Sequence, residues 1–362
     1  MYEYEGSSRE RVWKGIIRPL LLWPISLAWC LIQRLILALL RVGGCRDPVK
    51  FVPPPRWLVH CMAIPFRILN PAVVLGGENL DALGRKAPSR NSRNGGTPGN
   101  APTGAPVLLV GNHTLYGLDH IPIVDQVHER VGQFPRGLFD TAFSYLPIWR
   151  QLAEAFGGVV GTRKNCEVLM RNGQCLLLCP GGAREAYLRA AREKYQLRWK
   201  EKMGFVRLAI KHGYTVIPFA SVGLENSVTV LFSVDMGWCQ RLTRVGLARS
   251  RAAASRLRAG DPGNLWLPVL LPFNSLQRQY FVFGKPISSE GYNRDWESDA
   301  KTLELYEAVR GEVEGLIHGL QGLQRRDPNR YPLTRAWRWC LSRMGLVKDY
   351  DRAVRTAFPG PS

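Results

Sequence analysis

The feature that most constrains this chain is a set of short, almost wholly apolar runs, the first two ending abruptly in a turn. Val107–Val110 leads into Gly111-Asn112-His113, and Cys175–Cys179 leads into Pro180-Gly181-Gly182. Tyr214–Phe219 and Tyr280–Phe283 are two more such runs. By length and composition they read as buried strands. Segments with helical periodicity lie among them: 119–131, 147–156, 163–171, 199–211 and 303–320. Apolar Met203, Phe205, Val206, Ala209 and Ile210 mark one helical face. This alternation predicts an α/β domain with its sheet covered by helices.

The region before residue 84 is different. Ile16–Leu40 is apolar and carries one charge, Arg34, between residues 19 and 40. Twenty-two residues at ~1.5 Å each reach about 33 Å, enough to cross a hydrocarbon core. The segment is therefore expected to be a membrane-embedded helix. Trp57–Leu75 is a second apolar stretch, interrupted by His60, Pro65 and Arg67. It is open to three readings: a second span, a re-entrant segment or an interfacial helix. Residues 84–105 are a Gly, Pro, Ser and Asn-rich loop without apolar period. The expected organisation is a membrane-associated region over 1–83, the loop over 84–105, a globular α/β domain over 106–322 and a basic, aromatic tail over 323–362. An Arg- and Ala-rich insertion at 241–264 reads as a solvated surface element or as an amphipathic contact with anionic lipid.

Charge narrows the partners. Lys and Arg number 49 against 29 Asp and Glu, a formal charge of +20. Such a balance suits nucleic acid or an anionic membrane face. No zinc-finger, basic-zipper or RNA-recognition pattern occurs, so nucleic acid is not expected and a lipid bilayer is. The eight cysteines form no CxxC pair and read as reduced thiols. No HExxH motif or EF-hand loop is present, so no metal is expected. GxSxG and GxxxxGK[ST] are also absent, which argues against a serine hydrolase and a nucleotide hydrolase.

The chemistry concentrates where strands end. His113 follows the first run directly, and Asp119 follows six residues later. An imidazole held by a carboxylate is a competent general base near neutral pH. His120 competes for that role but belongs to the helical segment, and a structural hydrogen bond is the plainer reading of such a pair. At the second strand end, glycines let backbone N–H groups approach a ligand, and Arg184 and Glu185 follow. An ordinary turn with a solvated salt bridge is the alternative there. Gly157–Lys164 places Arg163 and Lys164 after another short strand.

In this order, the blocks resemble the phospholipid/glycerol acyltransferase family. GNHTLYGLD, PGGAREA and the later Phe283–Ile287 are similar to the branch of phytyl ester synthases and transmembrane diacylglycerol acyltransferases, over roughly residues 105–320. The larger family has four residues between His and Asp, and Pro-Glu-Gly at the turn. This chain has five, and Pro-Gly-Gly, as the narrower branch does. The resemblance implies a mixed acyltransferase-type sheet and acyl transfer from acyl-CoA, as co-substrate, to a lipid hydroxyl. Diacylglycerol is the leading acceptor, and a lysophospholipid or glycerol phosphate is the rival. A non-catalytic lipid-binding protein is the alternative from another class. His113 is then the base and Asp119 its partner. Asn112, Arg163, Lys164, Gly181, Gly182, Arg184 and Glu185 are the expected substrate contacts, with the glycine amides as oxyanion donors. The implied location is a membrane, the endoplasmic reticulum by preference. No cofactor is implied.

Overall fold

The computed structural model describes residues 49, 51–84, 106–114, 120–131, 133–139, 153–154, 156–182, 185, 194–199, 203–227, 229–235, 266–271, 276–344 and 346. In chain order the elements are α1 (Arg56–Leu69), β1 (Ala72–Leu75), α2 (Gly77–Gly84), β2 (Val107–Gly111), α3 (His120–Val131), β3 (Arg136–Phe139), β4 (Val159–Val160), α4 (Arg163–Arg171) and β5 (Leu176–Leu178). Then come α5 (Gly204–His212), β6 (Thr215–Val222), β7 (Thr229–Asp235), β8 (Trp266–Leu271), β9 (Gln279–Phe283), β10 (Ile287–Ser288), α6 (Asp299–Arg326) and α7 (Pro332–Arg343).

The main sheet runs β1-β9-β6-β2-β5-β3-β4, with β10 also paired to β6. β6, β2, β5, β3 and β4 are mutually parallel, whereas β9 and β10 run antiparallel to β6. The sheet is thus mixed and α/β, as expected. Its apolar runs alternate between two cores. Leu108, Val110, Leu176, Val216 and Val282 face one, where α4, α5 and α6 supply Leu169, Val206 and Leu316. Val107, Leu109, Leu177, Ile217 and Phe283 face the other, where Leu80 of α2 and Ile123 and Val127 of α3 meet them. Burial on both faces is why these strands read as continuous apolar runs.

Local chemistry fixes the helix ends. Thr162 caps α4, its hydroxyl accepting from Asn165 N at 3.2 Å. Gly213 ends α5 in the left-handed region at φ 68°. On α6, Leu305, Val309, Val313, Leu316 and Leu320 recur at helical spacing and are all buried.

The structure corrects the reading of the second apolar stretch as a span. Its first part is α1, 14 residues long, or about 21 Å, against a hydrocarbon core of about 30 Å. Its last part, β1, pairs in parallel with β9, from Ala72 opposite Gln279 to Leu75 opposite Val282. The globular domain therefore begins before the 84–105 loop. Among the described residues no helix is long and apolar enough to cross a membrane. The 16–40 segment, the loop and the basic insertion lie outside the described residues. The insertion joins β7 to β8, which form their own antiparallel pair. Helix α5 starts at Gly204 rather than at Trp199, although Trp199 is buried beside it.

Candidate active site

The two sequence motifs meet because β2 and β5 are parallel neighbours, with Leu108 opposite Leu176 and Val110 opposite Leu178. Both strands end on the same side of the sheet, so Asn112-His113 and Cys179–Gly182 leave it together. The carboxyl ends of parallel strands are where α/β sheets place their ligand crevices.

Gly111, the last residue of β2, sits so close to β6 that a β-carbon would lie 2.5 Å from the Phe219 carbonyl oxygen and 2.6 Å from its ring. Asn112 is buried and binds β6 with both ends of its amide. Its Nδ2 donates to Ser221 O at 2.9 Å, and Ser221 N donates to its Oδ1 at 2.8 Å. That engagement makes Asn112 a clasp between β2 and β6 rather than a group facing substrate.

His113 is held through its backbone. Its amide donates to Glu185 Oε2 at 3.0 Å, and the other carboxylate oxygen accepts the Arg198 amide at 2.6 Å. Glu185 is buried. Its carboxylate thus ties the segment after the β5 turn to the backbone of the residue that carries the imidazole. Gly181 makes room for this, because a β-carbon there would fall on the Glu185 carboxyl group.

The His113 imidazole is neutral at pH 7, its pKa pushed down to about 4 by burial. The Thr114 backbone beside the ring offsets part of this, although the enclosed Nδ1 makes no hydrogen bond of good geometry among the described residues. The ring stacks on His120, with centroids 5.0 Å apart and planes 20° from parallel. Burial, and then the proximity of His113, lower the His120 pKa to about 3. His120 Nε2 lies 3.4 Å from Cys179 Sγ, which itself lies 3.5 Å from Asn112 O. A neutral ring at a strand end can accept a proton from a hydroxyl, which is the chemistry of a general base.

Not every expected contact gathers here. Asp119 and Arg184 lie outside the described residues. The Gly182 amide donates to Cys179 O at 3.0 Å within the turn, with φ at +54°, so it is engaged and cannot serve an oxyanion as expected. Arg163 lines a cavity of about 260 Å³ on the α4–α5 side of the sheet, among Leu108, Leu138, Met170, Leu176, Leu178 and Phe205. Arg207 and Lys211 line it too. These cations are paired: Lys211 Nζ lies 3.0 Å and Arg163 Nε 3.4 Å from Glu167 Oε1, and Arg207 meets Asp299. Lys164 is exposed. The sequence reading missed Cys179 altogether. Its position as the last residue of the β5 run, next to the turn, was the available signal.

Residues 95–222 match the model of the family described as Acyltransferase. The chain carries an acyltransferase-family domain. Over 251 residues it is 30% identical to phytyl ester synthase 2, chloroplastic, of Arabidopsis thaliana, covering 65% of this chain and 35% of that protein. It is 27% identical over 125 residues to the human "DGAT1/2-independent enzyme synthesizing storage lipids", covering 34% of this chain and 38% of that one. Among solved structures it is similar to the 1-acyl-sn-glycerophosphate acyltransferase PlsC of Thermotoga maritima, with 15% identity and a TM-score of 0.48 over 86% of this chain and 98% of that one. The chain spans about a third of the length of the phytyl ester synthase it matches. The acyltransferase match includes β2, β5, β6 and both strand-end motifs.

Proposed function

We propose that this chain transfers a fatty acyl group from acyl-CoA to a lipid hydroxyl at a membrane, diacylglycerol to triacylglycerol being the leading reaction. The observation that carries the reading is His113, neutral at the end of β2 and fixed by Glu185 on its amide. In this reading His113 takes the acceptor's hydroxyl proton as the oxygen attacks the thioester carbonyl. The proton later reaches the departing thiolate. In this reading Asp119 fixes the tautomer and stabilises the imidazolium. Base catalysis contributes about 10²–10⁴-fold, and orientation of the two substrates contributes the larger share. The Gly181 amide, without a partner among the described residues, is the remaining oxyanion donor of the turn. The apolar cavity beside β5 suits an acyl chain.

The surface supports a membrane setting. Trp57 and Ile68 of α1, and Leu333, Trp337 and Trp339 of α7, are exposed apolar side chains. Arginines accompany them on both helices, the composition of helices that lie in a lipid interface. Together with the 16–40 segment they would bring the site to its lipid substrates, for which the endoplasmic reticulum is the proposed location.

The test is acyl transfer by membranes carrying wild type or His113→Ala, given labelled acyl-CoA and diacylglycerol, a lysophospholipid or a long-chain alcohol. Label in triacylglycerol that depends on His113 supports the reading. Label in phospholipid moves the acceptor to the phosphorylated class. Equal product from both proteins removes His113 from the chemistry.

A further inference from the structure

We propose that His113, His120 and Cys179 form a zinc site whose occupancy blocks the base. One ring nitrogen of each histidine and the Cys179 sulfur lie within 4.8 Å of one another. The His120 Nε2 to Sγ separation is 3.4 Å. Nitrogen and sulfur ligands of a tetrahedral zinc stand ~3.5 Å apart, from Zn–N of ~2.0–2.1 Å and Zn–S of ~2.3 Å. One edge of the tetrahedron is thus already at coordination spacing, and closing the others takes a movement of ~1 Å. The three groups are remote in the chain and are brought together by the fold: β2 delivers His113, the first turn of α3 delivers His120 and the end of β5 delivers Cys179.

The donor set chooses the metal. Two imidazoles and a thiol, with no carboxylate among them, favour zinc over magnesium or calcium. Three protein ligands leave a fourth position for water, the arrangement of an open zinc site. On binding, the Cys179 thiol releases its proton to solvent and a zinc–thiolate bond forms, with no change of oxidation state. A His113 lone pair bound to zinc cannot take the acceptor's proton. That consequence rests on His113 being the base; the binding itself does not.

The experiment uses the purified full chain in detergent, with Co²⁺ as the probe. One equivalent should bind saturably, giving the visible bands of tetrahedral cobalt and a near-ultraviolet thiolate-to-cobalt band, both lost on adding Zn²⁺. Cys179→Ser and Cys179→Ala should lose the thiolate band, and His120→Gln should weaken binding by about tenfold or more. Absence of a saturable one-equivalent site, or a thiolate band that survives in both Cys179 variants, overturns the site. In parallel, Zn²⁺ inhibition of acyl transfer is read for each protein against its own metal-free rate, with reversal by EDTA. Wild type should be inhibited, and the three variants should need about tenfold more zinc. Binding without inhibition overturns the blocking role. If no protein transfers acyl groups, the cobalt spectra still decide the site, so its failure and that of the acyltransferase reading are distinguishable.

Discussion

Glu185 offers the sharpest test of how His113, the proposed base, is held. In Glu185→Ala, two backbone amides, those of His113 and Arg198, lose a carboxylate at 3.0 and 2.6 Å. Hydrogen bonds to charged groups are worth about 1.5–3 kcal/mol each, and a buried N–H left unpaired costs a comparable amount. Relief from keeping a carboxylate buried offsets part of this. The net loss is about 3 kcal/mol, which lowers the melting temperature by about 6–12 °C in a domain of this size. The His113 backbone also loses its anchor, and displacement of a reacting group by ~1 Å costs about 100-fold in rate. Glu185→Gln keeps one acceptor oxygen and turns an NH₂ toward the other amide, so it should fall between alanine and wild type. Melting followed by circular dichroism, with kcat and KM at a temperature where both variants are folded, separates the two effects. A fall in kcat with little change in KM for the proposed acyl donor is expected. Wild-type melting and wild-type kcat in Glu185→Ala would refute the anchoring argument. Lost stability with unchanged kcat would confine Glu185 to the scaffold.

The neighbours give related tests. Gly181→Ala puts a methyl group on the Glu185 carboxyl, so it should lower kcat as Glu185→Ala does. The double variant should be little worse than either single one, which a double-mutant cycle measures. Asn112→Ala leaves Ser221 N and O of β6 without their partner and should cost about 2–4 kcal/mol by urea unfolding. His120 and His113 are held neutral in the fold, with pKa values near 3 and 4 against 6.5 when unfolded. The unfolded chain therefore binds more protons, and stability is full above pH 6.5 and falls as the pH drops toward 4. The upper limit for His113 is about 3 kcal/mol, reduced because the ring is partly exposed. His120→Leu should flatten the loss of melting temperature between pH 7 and pH 5, and an unchanged slope would contradict the assignment.

Strands buried on both faces were legible in the sequence. β2, β5, β6 and β9 stand within a few residues of the apolar runs that announce them, because helices on both sides leave no polar position to interrupt the pattern. The same physics kept a membrane span among the readings of Trp57–Leu75. A short amphipathic helix followed by a buried strand has the hydropathy of a membrane segment, and only the pairing of Ala72–Leu75 with β9 separates them. In the site, the strand-end positions of His113 and the Pro-Gly-Gly turn could be read from the sequence. The partners of Glu185 and Asn112 could not. Both bind backbone atoms far away, at His113 and Ser221, and a backbone amide leaves no trace in residue identity. Cys179 escaped because cysteine in an apolar run looks like any other buried side chain.

The order of the sheet has a consequence for how the protein is made. β5 lies between β2 and β3, yet β3 and β4 precede it in the chain. While the chain emerges from the ribosome, β2 has neither of its eventual parallel neighbours until residues beyond 176 are available, and its other side waits for β6 at residue 215. Pairing β2 with β3 first would fill the place β5 must take. Parallel pairings of such long range form slowly and expose strand edges meanwhile. His113, the proposed base, and the carboxylate that anchors its backbone are joined only when β5 docks, so a nascent or truncated chain ending before residue 185 lacks that anchor.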